Sequence, residues 1–275
     1  MEPIFAGKKG LVLGIANDFS IAWHIAKNLL DQGATIGFSH LPDNPDDERK
    51  KNRHRVAKCV EGHAGCKFLT PLDVSKDEDI AAIAAKAKEE LGTLDFVLHS
   101  IAFASLDDLR GETIATSRAG FKLAMDISVY SLLAVSNAVR PLMSNNSSIL
   151  TLTYFGGERI LPGYNVMGIC KAALDMSMKY LAYDLGPAGV RVNALSSGPL
   201  KTLASSAVGA KGMEALYAEI APLGRNVTHD EVGRVGAWLL SDMSNGITGE
   251  VLHVDGGYNA MGSPGRMLDK LKVAQ

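Results

Sequence analysis

Along this chain, short runs of consecutive apolar residues alternate with longer stretches whose apolar positions recur every three or four residues. The first pattern predicts buried strands, the second helices with one packed face. Gly10-Leu11-Val12-Leu13-Gly14 is the first strand, and Ser20 to Leu30 a helix closed by Gly33. Thr35 to His40 is a second strand. Pro42 to Arg55 turns proline-rich and then charged, a surface loop feeding a helix near Asp47 to Val60. Lys67 to Asp73 is a third strand, Asp77 to Leu91 an alanine-rich helix, and Leu94 to Ser100 a fourth strand. A long helix is expected over Thr116 to Met143, with Pro141 near its end. Ser148 to Thr153 is the fifth strand, followed by a loop and a helix over Gly163 to Leu185. Val190 to Ser196 is the sixth strand, Asp230 to Leu240 a helix, and Glu250 to Asp255 the last strand. Between them, 199–228 is glycine-interrupted and only weakly helical, the composition of a lid. Strands alternating with helices imply parallel βαβ units. The expectation is an α/β, Rossmann-like doubly wound parallel sheet of about seven strands, with helices on both faces and a helical substrate lid. No repeat or linker interrupts it, so residues 1–275 read as a single domain.

Composition narrows the class. With 275 residues, 47% of them hydrophobic, the chain can bury one large core. A net charge of −2 gives no global basic field for nucleic acid or a membrane surface. The start, Met1 to Lys9, lacks a basic-then-apolar signal, and no uncharged apolar run is long enough to span a bilayer. A cytoplasmic protein is expected. Cys59, Cys66 and Cys170 make no disulfide framework. His54, Cys59, His63 and Cys66 can be drawn as a zinc site, but the close Cys-x-x-Cys pair is missing, so no metal is expected.

The candidate chemistry gathers in Thr153 to Lys171, between the fifth strand and the next helix. Tyr164 and Lys171 are seven apart, two turns of helix, and return to nearly the same face. A phenol and an ammonium at a strand-to-helix mouth can hold a carbonyl oxygen and stabilise charge on it. Tyr154 can reach the same space or serve only as a packing aromatic. At the other end, Gly14 to Ala22 has the layout of a phosphate site without the usual Gly-x-Gly-x-x-Gly. Gly14 and the Ser20 hydroxyl remain, a pattern that a plain strand–turn–helix would also give. Asp73, closing the third strand, can accept from an adenine amino group or cap its own turn. Ser100, Ile101 and Ala102 close the fourth strand with room for a flat ligand.

Taken together, these pieces resemble a known family. They are Gly-x5-Ser-Ile-Ala from Gly14, Leu-Asp-Val at Asp73, His-Ser-Ile-Ala-Phe-Ala from His99, and Tyr-x9-Tyr-x6-Lys from Tyr154. Gly-Pro-Leu-Lys-Thr-Leu-Ala from Gly198 and Gly-Glu-Val-Leu-His-Val-Asp-Gly-Gly from Gly249 complete the set. The chain is similar, from Phe5 to Met261, to the bacterial enoyl-acyl-carrier-protein reductases, divergent members of the short-chain dehydrogenase/reductase superfamily. Ordinary members carry Tyr-x3-Lys, which would put tyrosine where Met167 stands, and a serine where Tyr154 stands. A ketoreductase therefore lacks its residues here. A catalytically silent NAD-binding regulator would be expected to lose the Tyr/Lys pair, which this chain keeps.

The resemblance implies roles. Gly14, Ser20 and Ile21 would contact the cofactor diphosphate and ribose. Leu41 would lie near the adenine ribose, and Asp73 and Val74 would hold the adenine. Ser100, Ile101 and Ala102 would line the cofactor's path, Lys171 would bind the nicotinamide ribose, and Leu200, Lys201, Thr202, Leu203 and Ala204 would wrap the nicotinamide and diphosphate. Tyr164 would donate to the thioester carbonyl, with Tyr154, Ala104 and Met167 lining the acyl pocket. Ala102 replaces a glycine of many members, and Leu41 a glutamine. The implied cofactor is NADH. NADPH stays open, because no carboxylate at Leu41 selects the 2′-hydroxyl and Arg49 to Arg55 lie downstream. The implied partner is acyl carrier protein bearing an enoyl thioester. The family and the wide apolar helix faces together suggest a homotetramer.

Overall fold

The computed structural model of the chain describes residues 3–109, 111–203 and 213–268. The apolar runs form seven strands: β1 Lys9–Leu13, β2 Thr35–His40, β3 Cys66–Pro71, β4 Leu94–His99, β5 Met143–Thr153, β6 Arg191–Ser197 and β7 Val251–Val254. They make one sheet in the order β3-β2-β1-β4-β5-β6-β7, every pair parallel. The direction of winding reverses between β1 and β4. At such a switch point the connections leave to opposite faces and open a crevice at the carboxyl ends.

The helices are α1 Ile21–Asp31, α2 Lys51–Val60, α3 Asp77–Glu90, α4 Leu106–Leu109, α5 Arg118–Met125, α6 Ser131–Val139, α7 Asn165–Leu185, α8 Met213–Ile220 and α9 His229–Leu240. Two apolar clusters sandwich the sheet. Ala22, Ile25 and Leu29 of α1 and Val232, Leu239 and Leu240 of α9 fill one. Ile83 of α3, Leu132 and Val135 of α6, and Leu174 and Met178 of α7 fill the other. The doubly wound expectation holds on both faces.

Three boundaries differ from expectation, each for a local reason. The helix expected over Thr116 to Met143 starts at Arg118, where the Ser117 hydroxyl accepts from Gly120 N–H. It passes through a π turn, Asp126–Tyr130, and ends in a 3-10 turn, Arg140–Leu142, at Pro141. The Ser128 hydroxyl in the π turn bonds both the N–H and the carbonyl of Phe103, a tertiary tie that periodicity does not report. β5 extends back to Met143 through a polar stretch whose Ser147 hydroxyl donates to Leu94 O at 2.9 Å. α2 begins only at Lys51, because the Asp43 carboxylate takes the N–H groups of Asn52 and Arg53.

The Arg118–Leu142 stretch is, by length and composition, apolar enough to cross a membrane. In the fold it packs alongside α3 and α7 over the sheet. The three cysteines are free, and Cys59 Sγ donates to Arg55 O. Among the described residues no three His, Cys, Asp or Glu side chains are placed to hold a metal. His63 packs edge-on against Trp23 instead.

Candidate active site

The turn after β1 is built on Gly14, whose φ of +92° lies in the left-handed region. A Cβ there would sit 2.0 Å from the Ser100 carbonyl oxygen, so glycine alone lets the turns after β1 and β4 meet. Ser20 stands before α1. Its hydroxyl accepts from Ala16 N–H at 3.0 Å and Asn17 N–H at 3.1 Å, folding the loop against the helix start. Its side chain therefore does not cap α1; Trp23 N–H donates to Ser20 O at 2.9 Å, and the N–H groups of Ile21 and Ala22, at the very start of the helix, have no intrahelical acceptor. A bare helix start beside a glycine turn fits a diphosphate.

After β2, Leu41 is 64% exposed at the crevice edge. After β3, Asp73 accepts from both the N–H and the hydroxyl of Ser75, at 3.1 and 2.6 Å, with Lys76 Nζ at 3.6 Å. These bonds hold its carboxyl below the usual range. Asp73 thus caps its own turn, and Val74 behind it is buried. After β4, Ser100 N–H donates to Leu13 O at 3.0 Å. Ile101 and Ala104 are half-buried, and Ala102 is exposed.

The mouth after β5 carries the phenols. The 3-10 turn Phe155–Gly157 lies directly on the start of α7. A Cβ on Gly156 would meet the Tyr164 ring at 2.4 Å, and one on Gly157 would meet Ala172 N at 2.8 Å. Tyr164 is the residue before α7, its ring edge-on to Tyr154 with centroids 5.1 Å apart at 71°. Burial pushes both phenols above the ordinary tyrosine range. Lys171 is buried and donates from Nζ to Leu152 O at 2.8 Å. Burial pushes its ammonium down to about 8, against the pull of the Asp175 carboxylate. The two-turn spacing predicts a shared network for Tyr164 and Lys171. Among the described residues no hydrogen bond joins them: Tyr164 stands before the first turn of α7, and the lysine is tied to the strand. Met167 packs inside the core beneath the mouth.

After β6, Leu200 is buried and Thr202 half-buried, while Lys201 and Leu203 are exposed. Ala204 and part of the expected lid lie outside the described residues. The described part of 199–228 includes α8, eight residues without a glycine.

The sequence pattern assigns no role to four residues of this region. His99 at the end of β4 is fully buried, its ring nitrogens 3.2 Å from Thr151 Oγ1 and 2.9 Å from Ser131 Oγ. Burial first, and then the charge of Lys171, push it down to about 3, so it is neutral. Asp175 lies one turn beyond Lys171, and burial pushes its carboxyl up to about 6. Tyr217 of α8 stacks on Tyr258, centroids 3.7 Å apart at 13°, and its hydroxyl is 3.1 Å from that of Tyr154. Only tertiary structure assembles these groups.

A parallel sheet wound from β1 and β4, a glycine turn into α1, and a tyrosine and lysine at the mouth of α7 define a Rossmann-type protein of the short-chain dehydrogenase/reductase class. Residues 14–259 match the family model described as enoyl-(acyl carrier protein) reductase. The chain belongs to that family. It is 49% identical to the enoyl-acyl-carrier-protein reductase (NADH) FabI of Nostoc sp. over 93% of this chain and 98% of that one. Among solved structures, the Anaplasma phagocytophilum reductase in complex with NAD is 44% identical, with a TM-score of 0.87 over 94% of this chain and 97% of that one. The Bacillus cereus enoyl-acyl-carrier-protein reductase with NADP+ and indole naphthyridinone is likewise 44% identical, with a TM-score of 0.89 over 96% and 100%.

Proposed function

We propose that this protein reduces the carbon–carbon double bond of trans-2-enoyl thioesters on acyl carrier protein with NADH, the final step of fatty-acid elongation. The observation that carries the reading is the mouth after β5. A half-buried phenol, Tyr164, stands seven residues before a buried lysine, with Met167 where a ketoreductase would need its tyrosine. Family membership supports it, since relatives of this chain bear that activity in their names.

NADH, when bound, supplies the hydride that adds to the β-carbon. Charge then moves to the thioester oxygen as an enolate, and the Tyr164 hydroxyl donates to that oxygen as the charge develops. Burial keeps this phenol protonated and therefore a donor. The α-carbon takes its proton from Tyr164 or from solvent. Lys171 orients the nicotinamide ribose with its ammonium. Gly14, the first N–H groups of α1 at Ile21, and Ser20 hold the diphosphate end. Asp73 and Val74 flank the adenine, with Leu41 beside its ribose. Ser100, Ile101 and Ala102 line the floor, and Leu200 to Ala204 close over the nicotinamide. Tyr154, Ala104 and Met167 shape the acyl pocket. The chain acts as one Rossmann-type domain with a lid over 199–228, assembles as a homotetramer and works in the cytoplasm.

The test follows nicotinamide absorbance with crotonyl-coenzyme A against acetoacetyl-coenzyme A, each with NADH and with NADPH. Oxidation with crotonyl-coenzyme A and NADH is expected. Turnover of acetoacetyl-coenzyme A alone would reassign the protein as a ketoreductase, and preference for NADPH would reassign its cofactor.

A further inference from the structure

Tyr217 is 1% exposed, although it sits on α8, on the lid side of the crevice. Its ring lies flat on Tyr258, in the 3-10 turn after β7, at 3.7 Å and 13°. Tyr258 in turn meets Phe155 edge-on at 5.9 Å, and Phe155 opens the turn that lies on α7. The carboxyl end of α8 is fixed to the same region, where Leu223 N–H donates to Gly256 O at 3.1 Å and a Cβ on Gly257 would press on Pro222. So the Tyr217 ring is held on one side by a second aromatic slab, and its hydroxyl is aimed at Tyr154 Oη, 3.1 Å away.

We propose that Tyr217 is a positioning residue for enoyl reduction: its hydroxyl donates to the Tyr154 phenol and fixes that ring against Tyr164 at the acyl end of the crevice. The proposal rests on Tyr154 lining the acyl pocket.

The direction of the bond follows from counting protons. Each phenol has one proton to give. If Tyr154 donated to Tyr217, its proton would be spent inside the protein, and Tyr217's would turn to the Tyr258 hydroxyl beside it, away from the crevice. With Tyr217 as donor, its proton is used and that of Tyr154 remains for a ligand oxygen. A hydroxyl that accepts one hydrogen bond becomes a better donor in the next, so the chain Tyr217 to Tyr154 to ligand is mutually reinforcing. The same bond works on Tyr154 against the upward push of burial on its phenol. The bond also costs little entropy at binding, because the stacked ring holds Tyr217 in place beforehand. The Tyr154 ring, edge-on to Tyr164, then limits where the Tyr164 phenol can swing.

A double-mutant cycle in the full-length assembled protein separates positioning from mere packing. Tyr217→Phe keeps the stacked ring and removes only the hydroxyl. It is expected to lower kcat/KM for crotonyl-coenzyme A by about 3- to 10-fold, the worth of one hydrogen bond, with the NADH dissociation constant unchanged. In a Tyr154→Phe background the same substitution should change kcat/KM by less than about twofold. Tyr258→Leu, which removes the slab and leaves both hydroxyls, should show the same dependence on background. Equal losses in both backgrounds would make Tyr217 a packing residue and overturn the proposal, as would full activity of Tyr217→Phe. A wild-type protein that binds NADH but reduces no enoyl thioester would overturn the functional reading beneath it. Wild-type activity with a fully active Tyr154→Phe would overturn the positioning role alone.

Discussion

At the scale of single residues, burial decides what each polar group at the mouth of α7 can do. Tyr164 is pushed so far up that it stays a neutral donor across the working range, which suits a group that stabilises a developing enolate without giving up its proton early. Tyr164→Phe keeps the ring that packs beside Gly156 and removes that donor. Turnover with an enoyl thioester should fall on the order of 10²-fold, with cofactor affinity retained. Unchanged turnover would remove Tyr164 as the principal donor. Lys171 is shifted the other way, down to about 8 from 10.5, because an ammonium loses more than an amine when buried. Its charge is therefore present below about pH 8 and lost above it. Cofactor affinity that uses this charge should weaken as pH rises through about 8. Lys171→Ala should bind cofactor weakly at every pH and show no such step, as read by titrating NADH fluorescence across the range.

At the scale of elements, the strand ends and the glycines between them set the site's geometry. The 3-10 turn after β5 rides on the backbone of α7, where a Cβ at Gly157 would meet Ala172 N at 2.8 Å and the Lys171 carbonyl carbon at 2.9 Å. Backbone cannot rotate away as a side chain can, so Gly157→Ala must move the turn off the helix. A loss of about 1–3 kcal/mol in stability is expected, the usual range for overpacking. The displaced Tyr164 should also lower kcat. Denaturant unfolding and steady-state kinetics check the pair, and a variant with wild-type values in both would mean that the turn tolerates the methyl. This level also shows what a sequence can carry. Thr35 to His40 was legible to the residue, and the sheet's parallel order followed from alternation, because burial on both faces writes continuous apolar runs. The start of β5 was not legible, since the Ser144 and Ser147 hydroxyls bond to Leu94 O and to each other rather than burying apolar surface. The Tyr-x6-Lys spacing was legible, while the partners of those residues, Leu152 O for the lysine and Tyr154 for the phenol, depend on the turn between them. Tyr217 was invisible for the same reason: its partners lie 63 residues before it, at Tyr154, and at Tyr258 on another connection.

At the scale of the whole molecule, the distribution of exposed apolar surface is uneven. Phe121, Leu123 and Tyr130 on α5 and the π turn are exposed, and Ile169, Met176, Tyr180 and Tyr183 are exposed along α7. The first group lines an open groove of about 710 Å³ with Met125, Val129 and Leu133. α5 and α6 pack against α7 on one face of the sheet, so the elements that carry the two groups are neighbours. An apolar area of this kind left in water costs free energy that a second copy can recover, and a two-fold axis brings the same face of each copy together. β7 is an edge strand whose outer side pairs with no strand among the described residues, a second place where like surfaces can meet. Two such surfaces on one chain, each used across its own two-fold axis, would generate a closed tetramer rather than a dimer. The expected outcome is a tetrameric mass by light scattering at micromolar concentration, with the 29.2 kDa chain as its unit. Leu123→Lys with Tyr130→Lys places charge on the helical face alone, so it should cut the assembly to a dimer held by the remaining surface. A wild-type protein that runs as a monomer would refute the assembly, and a charged variant that stays tetrameric would move the interface elsewhere.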